Sequence, residues 1–231
     1  MKRHESISDL NSTEKKTVKL YSFHRSTASF RVRIALHFKG IPFDTNAVHL
    51  LRGDGEQRAE AYRRLNPQQL LPTLVDGENV LTQSLAICEY LEETHPSPAL
   101  LPAGAAPRAR VRGLATALAA DIHPLHTIRV TRHLADAFDI GENERLAWTR
   151  HWIHDGLNAI EEQLSSSPAT GIYSHGDSIT FADVFLVPQV LSAKAYGVDL
   201  EHLPHITRIT TRCLQHPAFD AALPVNQPDA A

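Results

Sequence analysis

Residues 18–40 read VKLYSFHRSTASFRVRIALHFKG, and this segment contains the pattern of a strand followed by a helix. It opens with alternating apolar and polar side chains, which is the pattern of a short β-strand. The segment that follows places Phe30, Ile34 and Phe38 four residues apart, as on one face of a helix, and Gly40 is a common stop after such a helix. The stretch therefore predicts a strand that leads directly into an amphipathic helix.

The residues that follow extend this unit into a small mixed sheet. In chain order, the pattern predicts strand 18–23, helix 26–39, strand 43–50, a charged helical segment 52–65, strands 72–76 and 79–82, and helix 84–95. A helix between the first two strands requires a parallel crossover, whereas Asp76-Gly77 is typical of an antiparallel hairpin. We therefore expect an α/β domain with helices on both faces of the sheet.

The composition changes at residues 96–107, which read PSPALLPAGAAP, and no strand pattern occurs after them. Helical spacing recurs instead, and it predicts helices over 108–120, 130–138, 142–164, 181–195 and 204–215. The first residues of the chain mix acids, bases and serines without an apolar run, which is typical of disorder. We therefore expect a disordered N-terminal extension at 1–17, an α/β domain at 18–97, a linker at 98–107 and an all-helical domain at 108–231.

Charge and cysteine content exclude several classes of protein. The chain has 23 Lys and Arg against 26 Asp and Glu, and its net charge of −3 argues against nucleic acid or an acidic membrane as a partner. No segment is long and apolar enough to predict a membrane span. Only Cys88 and Cys213 are present, which excludes a disulfide framework and leads us to expect a cytoplasmic protein.

Histidine is unusually frequent, with 14 residues, and this raises the hypothesis of a metal site. Three pairs are spaced i,i+3, as metal ligands on one helix face are. No pair has an acidic partner at ligand spacing, so we predict no metal site and expect most of these residues at the surface or in packing. The pairs are His123/His126, His151/His154 and His202/His205.

The junction between the first strand and its helix carries Ser26-Thr27. A hydroxyl there either caps the helix or, together with free backbone N–H groups and the helix dipole, binds an anion or a thiolate. Arg25, Arg31 and Arg33 add positive charge nearby. Since Arg31 and Arg33 lie about 200° apart on a helix, at most one of them faces the site.

Two further motifs combine a polar residue or proline with the end of a strand. Leu71-Pro72 opens a strand, where proline is either simply tolerated or forms a cis peptide that presents the Leu71 backbone to an extended ligand. Gln83-Ser84 stands at a second strand-to-helix junction, where Ser84 either caps the helix or helps to hold a carboxylate. Each motif alone is compatible with a structural role.

A fourth motif runs from Thr180 to Asp183 at the start of an apolar helix. A threonine followed by an acid three residues later is the pattern of a capping box. We therefore predict a structural role for this motif.

The order of these motifs along the chain is more informative than any one of them. It resembles that of the glutathione S-transferases, most closely the zeta class, which includes maleylacetoacetate and maleylpyruvate isomerases. The resemblance covers nearly all of residues 18–228. It rests on RSTASFRVRIAL (25–36), LNPQQLLPTL (65–74), QSLAICEYLEE (83–93), DIHPLH (121–126), DSITFADVFLVPQV (177–190) and VDL (198–200).

The resemblance implies the glutathione S-transferase fold, in which a thioredoxin-like domain is followed by an all-helical domain, with glutathione as the cofactor. It implies that Ser26, with Thr27 beside it, faces the glutathione thiol and lowers its pKa by donating a hydrogen bond. It also implies that Leu71, before a cis Pro72, pairs with the cysteinyl backbone of glutathione.

The same resemblance assigns the other end of glutathione and the edges of the site. Gln83 and Ser84 match the residues that meet the γ-glutamyl carboxylate. His49, at the end of the second strand, and His123, early in the helical domain, match histidines that line the site in some members.

The implied reaction is the cis–trans isomerisation of a maleyl diacid, maleylacetoacetate or maleylpyruvate, to its fumaryl isomer by reversible thiolate addition. Arg25 and Arg129 match positions that hold the substrate carboxylates, and Arg25 is also expected to stabilise enolate-like charge. The family further implies a homodimer and a place in the degradation of tyrosine or of other aromatic compounds.

The chain departs from the family pattern at three positions. Ala28 replaces a cysteine, Phe30 replaces a tryptophan, and Ala195 replaces an arginine associated with the distal carboxylate of the substrate. The last departure keeps open a general zeta-like glutathione transferase or peroxidase that acts on other electrophiles. A non-catalytic glutathione-fold interaction module is a further alternative, which the retained Ser26 and Ser84 disfavour.

Overall fold

Four strands form one mixed sheet in the N-terminal part of the chain. They are β1 (Val18–Ser22), β2 (Phe43–Ala47), β3 (Thr73–Asp76) and β4 (Asn79–Thr82), in the order β2-β1-β3-β4. β1 is parallel to β2 and antiparallel to β3, and β3 is antiparallel to β4. The computed structural model describes residues 17–230, so the extension expected at 1–17 lies outside the described residues except for Thr17.

The helix α1 (Thr27–Phe38) makes the parallel crossover between β1 and β2. It is buried along most of its length, including the charged side chains of Arg31 and Arg33. Gly40 follows it with a φ of 63°, a left-handed conformation that glycine adopts without steric cost. The strand, the helix and its stop are therefore confirmed.

Two more helices complete the α/β part. α2 (Glu60–Leu65) follows a 3₁₀ turn at Glu56–Arg58, so the helical segment is shorter than predicted, and α3 (Ser84–Thr94) follows β4 and packs against α1. β2 ends at Ala47 and not at residue 50. The chain turns away there because the His49 N–H donates to the Glu56 carboxylate at 2.7 Å.

Between residues 105 and 230, the regular elements are helices and helical turns. The helices are α4 (Ala105–Thr116), α5 (Ile128–Phe138), α6 (Glu142–Ser165), α7 (Phe181–Ala195), α8 (Pro204–Leu214) and α9 (Pro217–Ala221). α4 begins three residues before its predicted start and passes into a π-helical turn at Ala117–Ile122 and a 3₁₀ turn at His123–His126. Neither these turns nor α9 were predicted. None of the helices within residues 17–230 has the length and apolar character needed to cross a membrane.

α7 is the central helix of the C-terminal part. Its residues 181–190 are all buried, and it packs against α1, α4 and α8. The predicted capping box is confirmed, since the Thr180 N–H donates to Asp183 Oδ2 at 2.8 Å. Because α1 contacts both α3 and α7, its side chains reach the sheet domain on one side and the helical part on the other.

Candidate active site

The N-terminus of α1 carries the first candidate residue, Ser26. It is the N-cap: its Oγ accepts a hydrogen bond from the Ser29 N–H at 3.2 Å, while its own N–H donates to the Phe23 carbonyl at 2.9 Å. A hydroxyl that accepts in this way still has its hydrogen to donate. The capping role and a thiol-binding role are therefore compatible in the same side chain.

Three more candidates lie around the same loop. Thr27 is the first residue of α1, and Arg25 is exposed, with no hydrogen bond or ion pair from its side chain within the described residues. His49 lies in the loop just beyond β2, not in the strand as predicted, and its ring packs on Phe23 at 4.7 Å between centroids. Because β1 and β2 are parallel, these residues come together at the carboxyl edge of both strands.

The Leu71–Pro72 peptide is cis, as hypothesised from its place before β3. The Tyr62 hydroxyl donates to the Leu70 carbonyl at 2.6 Å and also bonds the Thr73 hydroxyl at 2.8 Å, which fixes the chain on both sides. No hydrogen bond to the N–H or C=O of Leu71 is formed within residues 17–230. The segment therefore holds a free donor and a free acceptor in a fixed position.

The N-terminus of α3 is not capped by Ser84, although a serine at a strand-to-helix junction is a common N-cap. Ser84 is the first helical residue, and Gln83 occupies the N-cap position with φ 70° and ψ 116° and no side-chain cap. The capping alternative for Ser84 is therefore wrong. Positive φ is uncommon outside glycine, costs about 1–3 kcal/mol and clusters at ligand sites. The exposed Gln83 side chain instead donates to Gln68 Oε1 at 2.8 Å.

Behind Ser84 lies a buried charged residue for which no role at this helix end was predicted. Arg31 donates from Nη1 to Ser84 Oγ at 3.2 Å and from Nη2 to the Leu118 carbonyl at 3.3 Å. Arg33 points elsewhere and bonds the Ser22 hydroxyl and nearby carbonyls. The predicted divergence of the two arginines is thus confirmed, and their spacing was the only sequence signal for the role of Arg31.

His123 stands where the helical part meets this region. Its ring meets that of His126 edge-on at 5.4 Å, and burial, followed by the charge of Arg31, holds the pKa of His123 well below its usual value. Burial lowers the pKa of His126 to about 4. The Gln189 amide nitrogen lies 3.0 Å from His126 Nε2 and can only donate, so that ring nitrogen accepts. Both rings are therefore neutral at physiological pH.

The remaining substrate candidate, Arg129, lies in the first turn of α5. It is exposed, and its side chain makes no hydrogen bond or ion pair with the described residues. Its guanidinium is therefore available for a carboxylate of a ligand.

The C-terminus of α7 shows what surrounds Ala195. Ala195 is exposed, and the ring of the next residue, Tyr196, contacts His126 at 6.0 Å between centroids. The Tyr196 carbonyl accepts a hydrogen bond from Arg150 Nε at 2.7 Å. The C-terminal end of α7 therefore lies beside His123 and His126, but position 195 contributes no charge there.

No metal centre accompanies these residues. Within the part of the chain that the structure describes, no three His, Cys, Asp or Glu side chains are grouped so as to hold an ion. Two open depressions, of about 530 and 560 Å³, lie near the segment that connects α7 and α8. Their lining includes none of the residues that the family resemblance assigns to glutathione or to the substrate.

Comparison with known families agrees with this geometry. The model for "Glutathione S-transferase, N-terminal domain" matches residues 25–94, and that for "Glutathione S-transferase, C-terminal domain" matches residues 142–222. The chain belongs to the glutathione S-transferase family. The segment between the two matches contains α4 and α5. The fold is that of the family, a thioredoxin-like domain followed by an all-helical one.

Three relatives place the chain within the zeta class of this family. It is 44% identical to the probable maleylacetoacetate isomerase of Vibrio cholerae serotype O1, over 91% of this chain and 97% of that protein. A solved maleyl pyruvate isomerase, a bacterial glutathione S-transferase in Zeta class, superposes with a TM-score of 0.89 at 47% identity, over 92% of this chain and 100% of that one. The maleylacetoacetate isomerase of Anaeromyxobacter dehalogenans, solved with glutathione bound in its active site, gives a TM-score of 0.83 at 40% identity, over 93% and 98%.

Proposed function

We propose that this protein is a glutathione-dependent cis–trans isomerase that converts a maleyl diacid to its fumaryl isomer. The observation that carries the proposal is that one α/β domain presents three groups whose chemistry suits glutathione. These are the hydroxyl of Ser26, the free backbone groups of Leu71, and the uncapped helix N-terminus at Ser84. Relatives that are isomerases of this kind align over more than nine-tenths of the chain.

The residues present fit glutathione along its whole length. Ser26 has a hydrogen to donate to the thiolate, and the first turn of α1 favours a negative charge. The N–H and C=O of Leu71 suit the cysteinyl backbone, and Gln83 with Ser84 suits the γ-glutamyl carboxylate. His49 and His123 are assigned to the edges of the same site.

When bound, glutathione supplies the thiolate that adds to the activated double bond and leaves after rotation about the resulting single bond. During addition the π electrons of the alkene move to the conjugated carbonyl oxygen, and they return when the thiolate leaves. Arg25 stabilises this enolate-like charge, and Arg25 and Arg129 hold the carboxylates of the diacid. Ser26 keeps the leaving sulfur in its anionic form by donating its hydrogen bond.

The wider setting of the reaction follows from the same family. We infer a homodimer, a cytoplasmic location and a role in the degradation of tyrosine or other aromatic compounds. We also infer that residues 18–97 bind glutathione and that residues 108–231 cover the acceptor substrate.

The test is an assay of glutathione dependence with maleylacetoacetate and maleylpyruvate, in which a coupled hydrolase consumes the fumaryl product. We expect Ser26→Ala to lower kcat/KM on the order of 100-fold, because it removes one donor to a developing anion. Ser29→Ala is the matched control. Its hydroxyl is buried in the same helix turn without a side-chain partner, so the rate is expected to stay unchanged. Equal rates for Ser26→Ala and the wild type would overturn the role of Ser26.

Ala195 favours one alternative function, a general glutathione transferase or peroxidase. The exposed alanine provides no cation for a distal carboxylate at the end of α7. The same preparation is therefore assayed with a generic aromatic electrophile and with a hydroperoxide. Turnover of these compounds without isomerisation of either maleyl diacid would establish the alternative.

A further inference from the structure

Arg31 is a buried cation without a buried anion. Only 1% of its surface is exposed, and its guanidinium lies 4.9 Å from the ring centre of Phe185. None of the ion pairs within residues 17–230 includes it. Burial lowers the pKa of Arg31 to about 10, so the side chain is still charged at neutral pH. Burying an unpaired charge is among the costliest arrangements in a folded protein.

The surroundings of Arg31 do not offset this charge. Its two hydrogen bonds go to neutral groups, the Ser84 hydroxyl and the Leu118 carbonyl, and its Nε has no partner. The nearby His123 and His126 are neutral and offer no negative charge.

Two other buried cations among the described residues, Lys39 and Arg33, do have a carboxylate near them. Lys39 forms an ion pair with Glu92 at 2.7 Å. Arg33 donates four hydrogen bonds to oxygen atoms, and the charge of Asp229 acts on it favourably. The lack of a carboxylate is thus specific to Arg31 among these three residues.

One side of Arg31 leads to an open anion site. Its Nη1 bonds Ser84, the first residue of α3, and the N-cap Gln83 leaves the first turn of that helix without a side-chain acceptor. Because Ser84 Oγ accepts from a cation, its own hydrogen is polarised and free to donate away from Arg31. An anion at this position accepts hydrogen bonds from the first turn of α3 and supplies the counter-charge that the Arg31 guanidinium lacks.

We propose that Arg31 is a positioning residue for glutathione: acting through Ser84, it makes the N-terminus of α3 bind the γ-glutamyl carboxylate, which serves as its missing counter-charge. The proposal rests on the glutathione site of the proposed function and adds to it a charge that does not touch the ligand. Arg31 also holds the Leu118 carbonyl, in the π-helical turn that leads to His123, so the same guanidinium connects the carboxylate site with the helical part.

The test separates a role in carboxylate recognition from a role in folding. Calorimetry measures the Kd of glutathione and of 4-aminobutyryl-cysteinyl-glycine, which lacks only the γ-glutamyl α-carboxylate, for the wild type and for Arg31→Met. We expect the wild type to bind glutathione at least tenfold more tightly than the analogue. We expect the Arg31→Met variant to bind the two ligands with nearly equal affinity.

A purely structural role predicts another pattern. If Arg31→Met weakens both ligands by the same factor, so that the wild-type ratio persists, the proposal is overturned. Arg31→Lys keeps the charge but not the two-pronged donor, and it covers the case in which the methionine variant does not fold. It is expected to retain most of the preference for glutathione, and a folded lysine variant without that preference also overturns the proposal.

The same measurements keep this proposal apart from the proposed function. Failure of the wild type to bind glutathione contradicts the proposed function itself. Binding without discrimination between the two ligands contradicts only the role of Arg31, because no isomerisation is involved in the measurement.

Discussion

The helices α3 and α7 both pack in the core, but their first turns are completed differently. At α7, Asp183 accepts hydrogen bonds from the Thr180 N–H and from the Ser174 N–H, each at 2.8 Å. At α3, no side chain caps the helix, and Ser84 is instead bonded from behind by the buried Arg31.

The two helix ends differ in the source of the acceptor for their first N–H groups. The first N–H groups of any helix need acceptors. α7 carries its anion in its own sequence, so its end is closed and serves stability alone. The first turn of α3 carries no anion and lies against the Arg31 guanidinium of α1, so in our proposal a ligand supplies the negative charge.

The loss of stability is expected to be greatest when the acceptor at the N-terminus of α7 is removed. Asp183→Ala leaves two buried backbone donors and the Thr180 hydroxyl without their acceptor. At about 1–3 kcal/mol for each orphaned group, we expect a loss of roughly 4 kcal/mol in the free energy of unfolding. Urea denaturation followed by circular dichroism measures it. A loss below 1 kcal/mol would show that the capping box contributes little.

The second expected effect is a loss of stability at low pH, caused by protonation of His126 near Arg31. The pKa of His126 is about 4 in the fold against about 6.5 in the unfolded chain, so the unfolded state binds more protons between these values. Stability is therefore full above pH 6.5 and falls as the pH drops from 6.5 to 4, by up to about 3 kcal/mol.

Unfolding measured at several pH values tests this dependence. In His126→Gln, which cannot be protonated there, the decline between pH 6.5 and 4 is expected to be smaller by that amount. Identical pH profiles for the variant and the wild type would contradict the assignment to His126.

The smallest expected effect concerns the affinity for glutathione at the uncapped N-terminus of α3. Ser84→Ala removes a hydroxyl at the open end, and we expect the Kd of glutathione to rise about tenfold, which corresponds to the loss of one charge-assisted hydrogen bond of ~1.4 kcal/mol. Thr180→Ala removes a hydroxyl at the closed end, and it is expected to lower stability while leaving the Kd unchanged. If both variants shift the Kd equally, the two helix ends do not differ in the proposed way.

Much of the fold could be predicted because its signals are local. α6, α7 and α8 match their predicted ranges to within one residue, since each has a clear helical period. The end of β2, the π-helical turn at 117–122 and α9 escaped prediction. The end of β2 depends on the hydrogen bond from the His49 N–H to Glu56. The π-helical turn and α9 are bonded by residues far away in the chain, through Arg31 to Leu118 and through Arg33 to Ala222.

The candidate site was predicted in part for the same reason. Ser26 was located by its place between a strand and a helix, and the cis peptide by the proline that precedes β3. Ser84 lies at the predicted strand-to-helix junction, but its alternative role as N-cap was wrong, because the unusual backbone of Gln83 is not encoded by any local pattern.

Local sequence patterns were enough to predict the strand-to-helix junctions and the self-capped start of α7, since each depends on residues within one or two helical turns. The change from alternating to helical periodicity predicted the two-part architecture. Which of these helix ends stays uncapped, and which residue lies behind it, depends on tertiary packing. Arg31, Ser84 and Leu118 are far apart in the chain, and they meet because α1 packs between α3 and α7. Burial of a charge is a property of that packing, so the unpaired guanidinium behind α3 exists only in the folded molecule.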